Sequence, residues 1–258
     1  ENIYYPIIGR FFSAADLGFF TNAKKLNDIP SRTISQAVSK VSYPTLSQIQ
    51  DDDLMLKKGF RKILKNITFI SFPLMIGLAS IADPLIKVLL GEKWIPSISY
   101  FQILCFSGMF YSLNALNLNV LQVKGRSDLF LKLEIIKKII GVASIIIVLF
   151  FKLGIIGLLW AMVFTSFISY FVNSFYSKQM IGYSTFDQIK DFFTILLASL
   201  ISGIINYSLI FILEFKDIFL LLIQIPFGIS LYLLFSYIFR IEEVESLKNI
   251  LKLGLQKL

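Results

Sequence analysis

Apolar runs recur along this chain at lengths that predict membrane helices. They fall at roughly 63–82, 96–121, 133–151, 154–175, 192–213 and 217–239, each close to the about 20 residues needed to cross a hydrocarbon core. Short connections between them carry helix breakers: Asp83-Pro84, Gly91, Pro96, Gly125 and Gly154. Ile3 to Phe12 is apolar for only about half a span, and the chain opens on Glu rather than Met. That segment reads as the end of a helix whose N-terminal part is missing. It has neither a basic leader nor a small-residue cleavage site, so it does not read as a signal peptide. After Arg240, Val244, Leu247, Leu251, Leu255 and Leu258 recur at helical spacing among Glu and Lys, which predicts an amphipathic helix on the membrane surface. The expected fold is an all-α integral membrane bundle of about seven full transmembrane helices and one truncated helix.

One stretch breaks the pattern. Asn22 to Pro44 is long enough to span, yet it contains Lys24, Lys25, Arg32 and Lys40. At about 100° per residue, Lys25, Arg32, Gln36, Lys40 and Tyr43 fall on one narrow stripe. A cation at the centre of a lipid-facing helix costs about 2.5–3.5 kcal/mol, so the stripe is expected to face a water-filled cavity that attracts an anion. Lys24 points elsewhere on the wheel and is expected at the interface. Pro30 kinks this helix or marks its start; the alternative is a shorter helix from Ile29 to Gln48 with both Lys24 and Lys25 snorkelling.

Composition agrees with the pattern: 56% of the 258 residues are hydrophobic, 16% are charged, and 26 are Phe. There is no His and one Cys, Cys105, inside an apolar run. Imidazole chemistry, a His-ligated metal and an intrachain disulfide are excluded, and no Gly-rich phosphate loop appears; no cofactor or metal is expected. The net charge of +8 is uneven. Lys57 to Lys65, Lys124 to Lys138, Lys178, Lys190 and Arg240 to Lys257 fall on one side of the expected spans, opposite a sparser set of Arg10, Lys24, Lys25, Lys87, Lys93, Lys152 and Lys216. The denser side, with the C-terminus, is therefore expected in the cytoplasm. Basic residues spread over membrane-flanking loops do not make a nucleic-acid surface.

A second polar set follows Pro96: Gln102, Asn114, Asn117, Asn119 and Gln122. Asn114 and Asn117 share a face, and their amides suit either sugar hydroxyls or helix-to-helix hydrogen bonds. Glu134, with Lys137 and Lys138 at i+3 and i+4, fits local ion pairing at a helix end; an ion-coupling carboxylate is the weaker reading. Asp51-Asp52-Asp53 is expected to open a cytoplasmic helix, its carboxylates favourable at the N-terminus.

The runs FSAADLGFFTNAKKLNDIPSRTISQAVSKVSYPTLSQIQDD, FPLMIGLASIADPLIKVLLGEKW and LNLNVLQVKGRSDLFLKLEIIKK resemble the C-terminal half of bacterial polysaccharide-export flippases. These are the Wzx type, within the multidrug/oligosaccharidyl-lipid/polysaccharide exporter superfamily. The resemblance covers about residues 3 to 175. It implies a second six-helix lobe over 1–177 with its first helix truncated, two additional transmembrane helices over 178–240, and the interfacial tail over 241–258. It also implies a non-enzymatic flippase of the bacterial cytoplasmic membrane, acting on undecaprenyl-diphosphate-linked oligosaccharide for O-antigen, capsule or exopolysaccharide synthesis. Its partners would be membrane lipids, the missing N-terminal half and polysaccharide polymerase machinery. Peptidoglycan-precursor flippases resemble the chain more distantly through Ala23, Lys24, Lys25, Leu26, Ile29 and Pro30, then Tyr43-Pro44-Thr45-Leu46-Ser47. Their diphosphate-binding basic residue falls on Lys25, with Lys in place of Arg. Two alternatives stand beside this reading. A cation-coupled multidrug exporter should favour acidic and aromatic cavity walls; a polysaccharide polymerase or membrane glycosyltransferase should carry a large external loop or a catalytic domain.

Overall fold

The structure, a computed structural model, describes residues 3–213 and 215–245. Among these there are ten α-helices: α1 (Tyr4–Phe11), α2 (Ala14–Ser47), α3 (Asp53–Ser80), α4 (Ala82–Leu90), α5 (Ser97–Val123), α6 (Ser127–Phe150), α7 (Gly154–Ser174), α8 (Ser177–Ile181), α9 (Thr185–Ile212) and α10 (Asp217–Ile238). Five are long and apolar enough to cross a membrane: α3, α5, α7 continued by α8, α9 and α10. α2 and α6, at 34 and 24 residues, have the length but carry charged side chains along their course. The chain is a multi-pass membrane bundle, and α1 is the short helix that its eight residues allow. The expected surface helix lies, from residue 246 onward, outside the described residues.

Polar caps set several helix starts that hydropathy does not see. Ser13 accepts from the Asp16 amide while Asp16 reaches back to Ser13, closing a capping box at the head of α2. Ser184 and Asp187 do the same for α9, which starts at Thr185 rather than near 192. Asp52 caps α3 by accepting from the amides of Leu54 and Met55, both at 2.9 Å. The basic segment after it is thus the first turns of a spanning helix, not a separate cytoplasmic one. Pro30 lies inside α2, so it does not mark the start of that helix.

α5 is the central strut, packed by α2, α3 and α7, while α6 leans on α7, and the α9–α10 pair attaches through α3. α5 comes close to its neighbours at Gly108, where a Cβ would sit 2.4 Å from the Met75 methyl and 3.0 Å from the Asn27 amide nitrogen. A larger residue would force the ends of the Met75 and Asn27 side chains to shift. Polar contacts mark the two ends of the bundle. At the α2–α3 end, Lys124 joins Asp53 at 2.7 Å and the Gln50 carbonyl at 2.6 Å. There too Arg61 grips Asp191 through two nitrogens, and Lys65 reaches Glu242 at 2.6 Å. At the opposite end, Tyr100 donates to Asp16 at 3.0 Å, and Lys87 lies 2.8 Å from Asp83 and 4.0 Å from Asp217. The connection from Asp83 to Ile95 folds as α4 and a 3-10 turn, whose Trp94 meets Phe19 edge-on at 5.9 Å.

Candidate functional site: the polar helix and its cavity

α2 carries its charge on two faces. On the outer one, Lys25, Arg32, Gln36, Lys40 and Tyr43 are all exposed, together with Ile29 and Val41 at 67% and 63%. This is the stripe read from the helical wheel, and it turns away from α5. It does not line the cavity that the described helices enclose.

That cavity, of about 640 Å³, lies between α1, α2, α5, α6 and α7. It sits at mid-helix level: α2 contributes Lys24 and Ser35, α5 contributes Ser107, Tyr111 and Asn114, and α7 contributes Thr165, Ser166 and Ser169. From α6 come Glu134, Lys137 and Lys138. Hydroxyl pairs hold the wall together, Ser107 with Ser166 at 2.6 Å and Ser144 with Thr165 at 3.2 Å. Asn114 donates to the Ser166 carbonyl at 3.3 Å and accepts from Asn173 at 2.7 Å, so it both packs α5 on α7 and faces the cavity.

Lys24 departs from expectation. It is 6% exposed, lines the cavity and is paired with Asp28, where the wheel reading put it at the interface. Asp28 also lies 3.0 Å from Arg32, giving a ladder of Lys24, Asp28 and Arg32 at i, i+4 and i+8. A buried lysine needs a carboxylate within reach, because an unpaired charge inside the bundle costs several kcal/mol. Asp28 supplies it, and links a cation in the cavity to a cation on the outer face. No sequence signal but this i+4 spacing within NAKKLNDIPSR points to Asp28.

Asn117 does not join Asn114 in the cavity. It is fully buried and exchanges hydrogen bonds with Gln188 of α9 at 3.2 and 3.1 Å while accepting from Ser177 at 2.9 Å. Both polar ends of its side chain are occupied by helix packing, the other role open to it. Glu134 contacts Lys137 and lines the cavity. With Lys24, Lys137 and Lys138 against Glu134, the wall carries more positive than negative charge. It can hold an anion or hydroxyl-rich groups; the single thiol, Cys105, lies apart from it, buried in the core. Among the described residues no group of three or more His, Cys, Asp or Glu could hold a metal ion.

Known proteins share this arrangement of helices and parts of its sequence. Residues 1–99 match the family of polysaccharide biosynthesis proteins. The teichuronic acid biosynthesis protein TuaB of Bacillus subtilis is 34% identical over 128 residues, 50% of this chain and 26% of the relative. The lipopolysaccharide biosynthesis protein WzxC of Escherichia coli is 26% identical over 216 residues, 83% of this chain and 43% of the relative. A solved structure of the lipid II flippase MurJ, in an inward closed conformation, superposes on 88% of this chain and 48% of its own with a TM-score of 0.72 at 23% identity, and so shares the fold. The chain spans less than half the length of each of these proteins. The match to the polysaccharide biosynthesis protein family thus lies in the first 99 residues, and the bundle they begin is that of a multi-pass membrane protein similar in sequence to TuaB and WzxC.

Proposed function

We propose that this chain is one lobe of a flippase that moves a lipid-linked oligosaccharide, carried on undecaprenyl diphosphate, across the bacterial cytoplasmic membrane. On this reading residues 1–177 form the second lobe of a two-lobed transporter, 178–240 the added pair of helices and 241–258 a surface tail, with the C-terminus cytoplasmic. The work is transport and involves no covalent step.

The observation that carries this reading is the outer stripe of α2. Lys25, Arg32 and Lys40 follow one another at seven and eight residues, or about 10 and 12 Å along the axis. Each step is comparable to the about 8–10 Å over which charges in salt solution attract, so a diphosphate moving along the helix is never far from a cation. Arg32 is held from behind by Asp28, which orients the guanidinium and lets an arriving anion compete for it. Gln36 and Tyr43 add hydrogen-bonding groups to the same exposed face. The cavity behind the stripe, with Asn114 and the α7 hydroxyls, would hold sugar or water; Glu134, beside Lys137, is the candidate coupling carboxylate. The missing first lobe would close the stripe into a channel, and polysaccharide polymerase machinery would take the delivered unit.

The test is flipping of a fluorescent undecaprenyl-diphosphate glycan by the full-length transporter in proteoliposomes. Changing Lys25, Arg32 or Lys40 singly to Gln removes a charge-assisted contact and is expected to slow flipping roughly tenfold or more. Charge reversal at Arg32 should slow it further. Unchanged flipping in all three Gln variants would remove the stripe from the pathway.

A further inference from the structure

A second cavity, about 440 Å³, opens between α3, α9 and α10. It lies apart from the site above and shares no lining residue with it. Its walls are apolar apart from Asn206, Gln224, Tyr232 and three serines, and no Lys or Arg lines it. Gly77 faces it with open space, since a Cβ there would meet nothing within 4 Å.

Two buried oxygens in this cleft lack a donor: Asn206 Oδ1 and Gln224 Oε1, on side chains 2% and 0% exposed. The hydrogen-bond network fixes which amide atoms these are. Ser80 gives its proton to the Gly77 carbonyl at 2.7 Å, so toward Asn206 it can only accept, and it does so from Nδ2 at 2.9 Å. Gln224 faces the Asn206 backbone carbonyl at 3.0 Å, which likewise requires an N–H. Neither amide can be turned round without setting acceptor against acceptor. The neighbouring hydroxyls cannot help, because Ser199, Ser202 and Tyr232 give their protons to the carbonyls of Ile195, Ala198 and Phe69. At that end of the cleft the two amide oxygens are therefore left without a donor from the described residues, while each NH2 has one N–H engaged.

A buried acceptor without a donor costs about 1–3 kcal/mol, and two side by side are a call for donors from outside the chain. A phosphate or carboxylate would bring no donor for these oxygens, and its charge would meet no Lys or Arg in the lining. Asn206 and Gln224 lie six and seven residues from the adjoining ends of α9 and α10, about 10 Å along the helices and nearer that end of the apolar spans than the other. We propose that this cleft binds a neutral, single-chain lipid with two hydroxyls, a monoacylglycerol being the simplest. Its hydroxyls meet Asn206 and Gln224 and its chain runs along the apolar wall past Gly77.

The experiment uses the full-length protein in nanodiscs and a monoacylglycerol with a photoactivatable acyl chain, with cross-links mapped by peptide mass spectrometry. Labelling is expected on residues 70–81, 199–206 and 224–233. Monoolein should compete about tenfold better than methyl oleate, which has the same chain without a donor, as expected for two hydrogen bonds. Gln224→Leu should erode that preference, and Gly77→Leu, which fills the cleft and leaves both amides intact, should abolish labelling. Equal competition by methyl oleate, or labelling absent from these peptides because water serves the two oxygens, overturns the proposal. None of these readouts depends on transport.

Discussion

α2 and the α9–α10 pair bury polar groups in opposite ways. α2 places Lys24 inside the bundle and answers it with Asp28. From Phe192 to Leu213 and from Ile218 to Phe239 the later pair contains no charged residue at all, and its buried polar side chains, among them Gln188, Ser202, Asn206 and Gln224, are amides and hydroxyls. The difference teaches where the bundle tolerates charge. A charged residue within a bilayer-spanning helix is tolerated only against a partner or water, so on the proposed function the charged helix would line the polar route and the uncharged pair would face lipid.

The largest effect that would sharpen this contrast is at Asp28. Asp28→Ala strands Lys24 in the cavity wall and is expected to destabilise the protein by about 3–5 kcal/mol, measured by thermal or denaturant unfolding in detergent. Gln224→Leu, which removes one uncharged hydrogen bond, should cost no more than about 1 kcal/mol. Equal losses would erase the distinction between the two regions.

Next in size are two glycines, one packed against the neighbouring helix and one on the open cleft. Gly203→Ala in α9 brings a methyl to 2.3 Å from Ile76 Cγ2 and should cost about 1–3 kcal/mol through overpacking. Gly77→Ala in α3 meets nothing within 4 Å and should be neutral, or stabilising by up to about 1 kcal/mol through helix propensity. A neutral Gly203→Ala would mean that α9 is free to move off α3.

The smallest effect concerns pH, and it separates the ends of the bundle rather than its interior. The hydrogen bond from Lys65 holds the Glu242 carboxyl below the usual carboxylate range. Its contribution is complete above the unfolded value of about 4.3 and fades as pH falls through the lower folded value. At the other end, the hydrogen bond to Asp83 raises the Lys87 ammonium. That contribution is complete below about 10.4 and fades as pH rises through the folded value. Unfolding midpoints should be flat between these limits. Glu242→Gln should flatten the acid limb and Lys87→Met the alkaline one, each by a small amount because the groups are largely solvated.

Much of the fold was legible in the sequence because membrane insertion leaves a strong signal: every expected apolar run lies largely within a helix. Boundaries were less legible. α9 begins seven residues before its apolar run, in a polar turn held by Ser184 and Asp187. The candidate site was readable only in part. The wheel grouped Lys25, Arg32, Gln36, Lys40 and Tyr43, and the structure sets all five on one exposed face. It misplaced Lys24 and passed over Asp28, because a wheel gives the direction of a side chain and not the neighbour it meets. It also grouped Asn117 with Asn114, although Asn114 meets Ser166 and Asn173 of α7 while Asn117 meets Ser177 of α8 and Gln188 of α9.

The sequence by itself determined a helical membrane protein, the spacing of its spans and the presence of one helix too charged to face lipid. Hydrophobic length and charge are properties of the chain and act before any packing. Tertiary structure alone decided which cations are buried with a carboxylate and which stay on an open face. It also decided which amides are consumed in packing, as at Asn117, and which are left with an unanswered oxygen, as at Asn206 and Gln224. Those outcomes depend on what the neighbouring helix supplies at one point of contact, and residues far apart in sequence supply it.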